Sequence, residues 1–406
     1  MAEVSSEKNT EKYVHKITMP LVGPLCVSAS NWSASAPRLG ASPEAKFPIG
    51  GARLMPKEQK LEMLSLPRRT LLGRCLAGFS TGMIAMGAIG PGSTVSGGWS
   101  SEGQSSAAPN QSLPAGNTRS GKPRFRTALV PSALGIHLNQ WETIHHAVRL
   151  GFEAVEPVPQ FLAEATQEEL SALKSKMEEL GLSWSAANLP VDFRGAEDRF
   201  QAGLKDLPHW ARIFQQAGVD RLGTYIRPTH SQLTYLENFR LHVRRFRAIA
   251  EVLHDFGLRL GVEYVGPKTS WSAGRFPFIH TLRELRELLA EIDHPALGYT
   301  LDSWHWYTAE ESREEILALP GKDVLIVHLN DAPASIPVDK QVDSVRELPL
   351  ATGVIDIKAF LTALVEIGFD GPAYVEPFQP RLRQMPVEQA LALVADSVKK
   401  CLALVD

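Results

Sequence analysis

The chain has 406 residues, of which 44% are hydrophobic and 21% are charged, with a formal net charge of −3. The near-neutral charge argues against a protein that binds nucleic acid through its phosphates, which would normally be basic. The hydrophobic fraction argues against an acidic disordered protein. Only three cysteines occur, Cys26, Cys75 and Cys401, so a disulfide-stapled scaffold and a Cys-x-x-Cys metal or redox pair are both excluded.

The first 62 residues have no sustained hydrophobic period, and prolines interrupt them repeatedly. Serine, alanine and glycine fill much of the space between the prolines. Such a segment cannot bury enough apolar surface to offset the cost of ordering its backbone. We therefore predict that residues 1–62 are a disordered extension, or an upstream stretch that is not translated, with Met55 and Met63 as alternative starts.

Residues 63–121 have the pattern of a twin-arginine export signal followed by a Ser/Gly-rich linker. Arg68 and Arg69 precede an apolar stretch from Cys75 to Ile89, and Ser106-Ala107-Ala108 approximates a cleavage site. The apolar stretch is shorter than the ~20 residues that cross a bilayer. The pattern predicts export to the periplasm, with no stable membrane association after cleavage. A retained anchor is the alternative, and without use of the signal the protein would be cytoplasmic.

Residues 122–406 repeat a strand–helix unit. Predicted helices end in a glycine that favours the left-handed backbone, at Gly151, Gly181, Gly218, Gly257 and Gly368. Short apolar runs predict eight strands near residues 127–134, 154–158, 184–189, 221–226, 259–265, 297–304, 324–330 and 373–378. Eight units in about 285 residues predict an α/β fold, a (β/α)8 TIM barrel. An open doubly wound sheet is the alternative, but no G-x-G-x-x-G follows the first strand to support a dinucleotide site.

Four consecutive predicted strands, the fifth to the eighth, end in a carboxylate or an imidazole. These residues are Glu263, Asp302, His328 and Glu376. The carboxyl ends of barrel strands carry the chemistry of TIM-barrel enzymes. Converging carboxylates would repel one another without a cation, although each residue alone could form an ordinary ion pair. The set of oxygens with one nitrogen predicts one divalent metal ion, Mn²⁺, Mg²⁺ or Co²⁺, with Zn²⁺ tolerated.

Other polar residues lie near the same strand ends. His305 follows Asp302 by three residues and is predicted to contact substrate. Asp331 either orients His328 or caps the following turn. Glu156 either joins the site or forms a buried ion pair, and His137 is predicted to be a solvated loop residue.

The ordered pattern of these residues resembles the sugar phosphate isomerase/epimerase group of xylose isomerase-like barrels. The pattern is Glu263, Asp302-x-x-His305, His328-x-x-Asp331 and Glu376-Pro, and the resemblance covers about Thr127 to Val405. It is fairly specific for the superfamily and weak for the substrate. The resemblance implies that Glu263, Asp302, His328 and Glu376 bind one divalent metal ion.

The resemblance also implies a reaction. A metal-bound keto-sugar would lose an acidic proton to give an enediolate, with Glu263 and Glu376 as the acid/base pair. We predict His305, Lys268, Arg346 and Trp304 as substrate-binding residues, and a small-molecule carbohydrate as the partner. The sequence is also compatible with a homo-oligomer. The alternatives are a metal-dependent lyase or dehydratase acting on a keto-sugar or keto-inositol, and a carbohydrate-binding barrel without turnover.

Two branches of the superfamily fit less well. Ketose 3-epimerases usually have a second glutamate six residues after the first glutamate ligand, where this chain has Thr269. They also have an arginine six residues after the histidine ligand, where this chain has Ala334. Endonuclease IV binds three zinc ions through extra histidines, but residues 338–353 contain no histidine. The early strands offer Glu156 and Asn188 instead. We therefore predict a single metal ion and no nucleic-acid partner.

Overall fold

The computed structural model describes residues 125–406. The predicted extension over residues 1–62 and the predicted export signal and linker over residues 63–121 lie outside the described residues. Among the helices that are described, none combines the length and the apolar character that a membrane span requires.

Parallel strands form a closed barrel. The strands are β1 Arg126–Leu129, β2 Ala154–Val155, β3 Ser183–Trp184, β4 Ala187–Asn188, β5 Arg221–Tyr225, β6 Thr229–His230, β7 Arg259–Glu263, β8 Phe276–Pro277, β9 Leu297–Asp302, β10 Val324–Leu329 and β11 Pro372–Val375. Within residues 125–406, nine of them form one sheet in the order β3-β2-β1-β11-β10-β9-β7-β5-β4. Its two end strands, β3 and β4, are separated only by residues 185 and 186, so the sheet closes on itself. The predicted TIM barrel is confirmed.

The third predicted strand, residues 184–189, is split in the structure. Its first half, β3, pairs with β2, and its second half, β4, pairs with β5. The first predicted strand is also shorter than expected. Strand β1 ends at Leu129, and Pro131–Leu134 forms a 3-10 helix, because proline fixes φ and has no N–H to donate to a sheet.

Helices surround the barrel. They are α1 Gln140–Leu150, α2 Pro159–Glu164, α3 Gln167–Leu180, α4 Glu197–Ala217, α5 Tyr235–Asp255, α6 Lys268–Trp271, α7 Leu282–Ile292, α8 Ser303–Thr308, α9 Arg313–Leu317, α10 Ile357–Glu366, α11 Pro380–Gln384 and α12 Val387–Leu402. The five glycines predicted at helix ends all have positive φ. The predicted helix ends are therefore confirmed.

The barrel interior is filled by small and branched side chains beneath the strand ends. A Cβ added to Gly261 would lie 2.6 Å from Thr300 Oγ1 and 3.2 Å from Ile326 Cδ1. Side chains two residues apart on a strand share a face. Gly261, Thr300 and Ile326 therefore form a layer of the barrel interior, and the residues two positions further along their strands lie directly above it.

Candidate metal centre

The residues above that layer are Glu263, Asp302 and His328, and Glu376 joins them just beyond β11. Each of the four offers a ligand atom, and these atoms all lie within 4.8 Å of one another. Ligands held at ~2.1 Å from one metal ion are themselves roughly 3 to 4 Å apart. The structure therefore brings the four predicted metal ligands to a single point at the mouth of the barrel.

The imidazole of His328 is oriented with Nδ1 towards the carboxylates. Nδ1 lies 2.9 Å from Glu263 Oε1, 3.5 Å from Glu376 Oε2 and 3.6 Å from Asp302 Oδ2. Nδ1 and Glu263 Oε1 are nevertheless buried atoms without a hydrogen-bond partner of good geometry. On the far side of the ring, Nε2 is 2.7 Å from the Tyr374 hydroxyl. A cation between Nδ1 and the carboxylates would satisfy both buried atoms, so the residues fit a divalent metal ion.

Asp302 is held from several directions. Its Oδ1 accepts a hydrogen bond from the Trp304 backbone N–H at 2.7 Å, and its two oxygens accept from Asn330 Nδ2 at 3.0 Å each. The carboxylate also caps α8, which begins at Ser303. The predicted strand over residues 297–304 therefore ends at Asp302, because this cap starts a helix.

The guanidinium of Arg346 lies among the candidate ligands. Nη1 donates to Asp302 Oδ2 at 2.7 Å and to Glu376 Oε2 at 3.4 Å. Nη2 donates to Asp343 Oδ1 at 2.8 Å, and Nε donates to the Asp343 carbonyl at 3.1 Å. Arg346 was predicted to bind substrate, and the structure does place it in the site. Its N–H groups are largely directed at acceptors of the protein itself.

The charges in the site shift one another's protonation. Burial favours the neutral form of Asp302, but Arg346, His328 and His305 together outweigh burial and hold the pKa of Asp302 well below its usual range. Burial raises the pKa of Glu376 to about 7. Burial also opposes a charge on His328, but Tyr374 and the carboxylates of Glu263 and Glu376 outweigh it and raise its pKa. The site thus attracts positive charge strongly.

His305 lies beside the candidate ligands on α8. Two donors face its ring: the Gly266 backbone N–H lies 3.2 Å from Nδ1, and Arg346 Nη2 lies 3.3 Å from Nε2. Nε2 also lies 4.0 Å from Glu263 Oε1. His305 therefore lies in the site, and its contact with substrate stays a prediction.

The other residues singled out in the sequence differ in their exposure to solvent. Trp304 is fully buried, with its ring 5.7 Å from the Arg346 guanidinium carbon. Lys268 is exposed at the start of α6, and its ammonium makes no ion pair within the described part of the chain. His137 is exposed, as predicted.

The sequence left alternatives open for Asp331 and Glu156, and the structure shows the contacts of both. The carboxylate of Asp331 accepts hydrogen bonds from the backbone N–H groups of Ala332, Thr352, Gly353 and Ile355. It therefore organises the loop after β10 instead of orienting His328. Glu156 accepts from the Ser132 N–H at 3.0 Å, and no ion pair to it is seen among residues 125–406.

Three residues of the site were not predicted from the sequence: Asn330, Tyr374 and Asp343. Tyr374 precedes Glu376 by two residues, so strand periodicity alone would have placed it beneath the site. Asn330 follows His328 by two residues, and its Oδ1 accepts from the Glu376 N–H at 3.2 Å. Asp343 lies in a loop, where no sequence period indicates the direction of a side chain.

A profile of the xylose isomerase-like TIM barrel family matches residues 144–401. The chain belongs to this family. A 3-dehydroshikimate dehydratase from Pseudomonas putida is 29% identical over 203 residues, which are 50% of this chain and 30% of that protein. An inosose isomerase from Bacillus subtilis is 27% identical over 144 residues, which are 35% of this chain and 48% of that protein. The chain thus matches less than half the length of these two relatives.

Among solved structures, a xylose isomerase domain protein from Alicyclobacillus acidocaldarius is similar over the barrel. It is 28% identical with a TM-score of 0.61, and the match covers 69% of this chain and 99% of that chain. The relatives that match this chain thus include an isomerase and a dehydratase.

Proposed function

We propose that the protein is a divalent-metal-dependent isomerase or epimerase of a sugar or keto-sugar, acting through an enediolate. The observation that carries the proposal is the convergence of Glu263, Asp302, His328 and Glu376 around buried, unsatisfied ligand atoms. This donor set suits Mn²⁺, Mg²⁺ or Co²⁺ and tolerates Zn²⁺. The matched inosose isomerase supports the reaction class.

The chemistry follows from the positions of the side chains. A cation bound there would polarise a substrate ketone and its neighbouring hydroxyl, which makes the proton between them acidic. Glu263 ends β7 and Glu376 follows β11, so the two carboxylates reach the sugar carbon from different parts of the barrel. One removes a proton and the other returns one on the opposite face. His305, which lies beside Glu263, would hold a substrate oxygen.

Metal content tests the first part of the proposal. We expect one tightly bound Mn²⁺ per chain after purification without chelator and re-equilibration, and loss of that ion in Asp302→Ala. Three ions per chain would favour a nuclease-like site instead. No binding would mean that the four strand-end residues are structural.

Exchange of solvent deuterium into substrate tests the chemistry. We expect the Mn²⁺-loaded protein to exchange the acidic proton of its keto-sugar, with a panel of ketoses and an inosose as test compounds. Glu376→Gln should abolish the exchange, whereas Glu164→Gln, at an exposed glutamate of α2, should leave it unchanged. Undiminished exchange in Glu376→Gln would contradict the two-glutamate mechanism.

A dehydratase is the second candidate, because a 3-dehydroshikimate dehydratase is among the relatives. It would use the same carboxylates to remove a proton and expel a hydroxyl as water. Mass spectrometry separates the two, since an epimerase leaves the substrate mass unchanged and a dehydratase product has lost one water. A carbohydrate-binding barrel without turnover would bind its ligand and show no exchange.

We also propose that the protein is exported to the periplasm, on the strength of Arg68 and Arg69 before a short apolar stretch. Cell fractionation of the full chain tests this. Replacing Arg68→Lys together with Arg69→Lys should retain the protein in the cytoplasm, and unchanged export would contradict the twin-arginine route.

A further inference from the structure

We propose that the mouth of the barrel contains a subsite for an anionic substrate group, a carboxylate, at the guanidinium of Arg194. This inference rests on the proposed function, because it assigns the charge of the substrate that the metal centre acts on.

Arg194 is fixed to the strand beside that of Glu263. Its Nε donates to the Tyr225 carbonyl and its Nη2 to Thr224 Oγ1, both at 2.9 Å. Tyr225 ends β5 and is the register partner of Glu263 in β7. Neighbouring strands are about 4.8 Å apart. The guanidinium is therefore anchored one strand away from the metal centre, at the carboxyl end of the barrel.

The charge of Arg194 is stabilised only at longer range, by the carboxylates of Asp192 and Glu263. No carboxylate of the described residues lies within ion-pairing distance of it, and the guanidinium carbon lies 4.0 Å from the centre of the Tyr225 ring and 4.3 Å from that of Phe193. Burial lowers the pKa of Arg194 to about 10. Arg194 is half-buried, so its charge is only partly solvated. A ligand anion would supply the direct partner that no carboxylate of the described residues provides.

Nη1 is the nitrogen of Arg194 that could donate to a ligand anion. Nε and Nη2 hold the loop between β4 and α4 against β5, whereas Nη1 makes no hydrogen bond within residues 125–406. Nη1 is also absent from the fully buried unsatisfied atoms, so solvent or a ligand can reach it. A purely structural arginine would need only the two nitrogens already used.

The charges around the mouth favour an anion on this side. The three ligand carboxylates and Asp343 would be balanced, except for one negative charge, by one divalent cation together with Arg346, and Arg194 adds a positive charge beside them. Arg227 follows β5 and is exposed, and within the described part of the chain it makes no ion pair. The charged Nη1 would form a stronger hydrogen bond to a carboxylate than to a hydroxyl of a neutral sugar.

Binding of two unreactive ring compounds tests the subsite. Shikimate is a cyclic polyol with a carboxylate, and myo-inositol is a neutral cyclic polyol; both lack the ketone needed for reaction. We expect calorimetry on the Mn²⁺-loaded full chain to show tighter binding of shikimate. Arg194→Met should weaken shikimate binding by about 10- to 100-fold, as for a hydrogen-bonded charged group, and leave myo-inositol binding unchanged.

Further variants separate recognition from folding. Arg194→Lys keeps the charge and should retain part of the shikimate affinity. Arg227→Gln changes an exposed side chain and should weaken shikimate binding by a smaller factor. Arg240→Gln, at an exposed arginine of α5, is the matched control and should change neither ligand.

Two outcomes would overturn the subsite: equal weakening of both ligands in Arg194→Met, which indicates a structural role, or no preference of the wild type for shikimate. A protein that binds no Mn²⁺ would contradict the proposed function instead. The shikimate preference, measured in parallel without Mn²⁺, would then still report on Arg194.

Discussion

Arg346 Nη1 lies 2.7 Å from Asp302 Oδ2, and both side chains are almost completely buried. The guanidinium of Arg346 is thus a fixed positive charge beside the ligand carboxylates. Those carboxylates, of Glu263, Asp302 and Glu376, also face His328. Because neither charge is solvated, each depends on the other for its stability. Arg346 thus acts on the metal centre through Asp302 and Glu376, in addition to any contact that it makes with substrate.

Arg346→Met should destabilise the metal-free protein more than the metal-loaded protein. The variant leaves the carboxylate of Asp302 buried without its cation, a change that costs about 3–5 kcal/mol of unfolding free energy. A bound divalent cation compensates part of that charge, so the loss should be smaller with Mn²⁺. Urea unfolding with and without Mn²⁺ measures both values. Arg286→Met, at an exposed arginine of α7, is the control, and equal losses with and without Mn²⁺ would contradict the compensation.

Tyr374→Phe should weaken metal binding without unfolding the barrel. The Tyr374 hydroxyl lies 2.7 Å from His328 Nε2 and fixes the imidazole with Nδ1 towards the carboxylates. Loss of such a supporting contact typically lowers metal affinity by about 10- to 100-fold. Competitive titration with Mn²⁺ or Co²⁺ gives the affinity. Tyr299→Phe, on strand β9, should leave it unchanged, and an unaltered affinity in Tyr374→Phe would exclude the orienting role.

The strand ends were predictable because a single physical rule places them. Apolar residues fill buried parallel strands, so the first carboxylate or imidazole after each run indicates the mouth of the barrel. Glu263 and Asp302 are indeed the last residues of β7 and β9, and His328 lies one residue before the end of β10. The ligand set could therefore be predicted without knowledge of any contact.

The loops could not be predicted in the same way. Arg346 reaches Asp302 across 44 positions of sequence, and the loop that carries it is shaped by backbone N–H groups donating to Asp331. Arg194 reaches Tyr225 across 31 positions. Such contacts depend on how a loop folds over the barrel, and no period of hydrophobicity records that direction.

Gly261→Ala should destabilise the barrel interior. The new Cβ would lie 2.6 Å from Thr300 Oγ1, so the side chain of Thr300 or Ile326 must shift, and overpacking of this kind costs about 1–3 kcal/mol. Removing the Thr300 hydroxyl relieves the closest contact, so Gly261→Ala should cost less in a Thr300→Ala background. Chemical denaturation of the two single variants and the double variant measures this coupling. Additive costs would show that Thr300 is not the limiting contact.

Glu311 should make the stability of the protein depend on pH. Its carboxyl accepts hydrogen bonds from the Tyr264 hydroxyl and the Leu282 N–H, and burial raises its pKa to about 8. Between the pKa of an unfolded glutamate, about 4.3, and this value, the folded state holds a proton that the unfolded state has released. The free energy of unfolding should therefore fall as pH rises through this window, by at most about 1.4 kcal/mol per pH unit from this group.

Glu311→Gln removes the titration, while its Oε1 can still accept from the Leu282 N–H and its Nε2 can donate to the Tyr264 hydroxyl. The stability of the wild type relative to Glu311→Gln should therefore decrease steadily from about pH 5 to pH 8 and level off above it. Urea unfolding at several pH values measures the difference, and the contributions of all other titrating groups cancel in the comparison. Glu164→Gln, at an exposed glutamate, should show a constant difference from the wild type. A constant difference for Glu311→Gln as well would mean that Glu311 is already ionised in the folded protein at low pH.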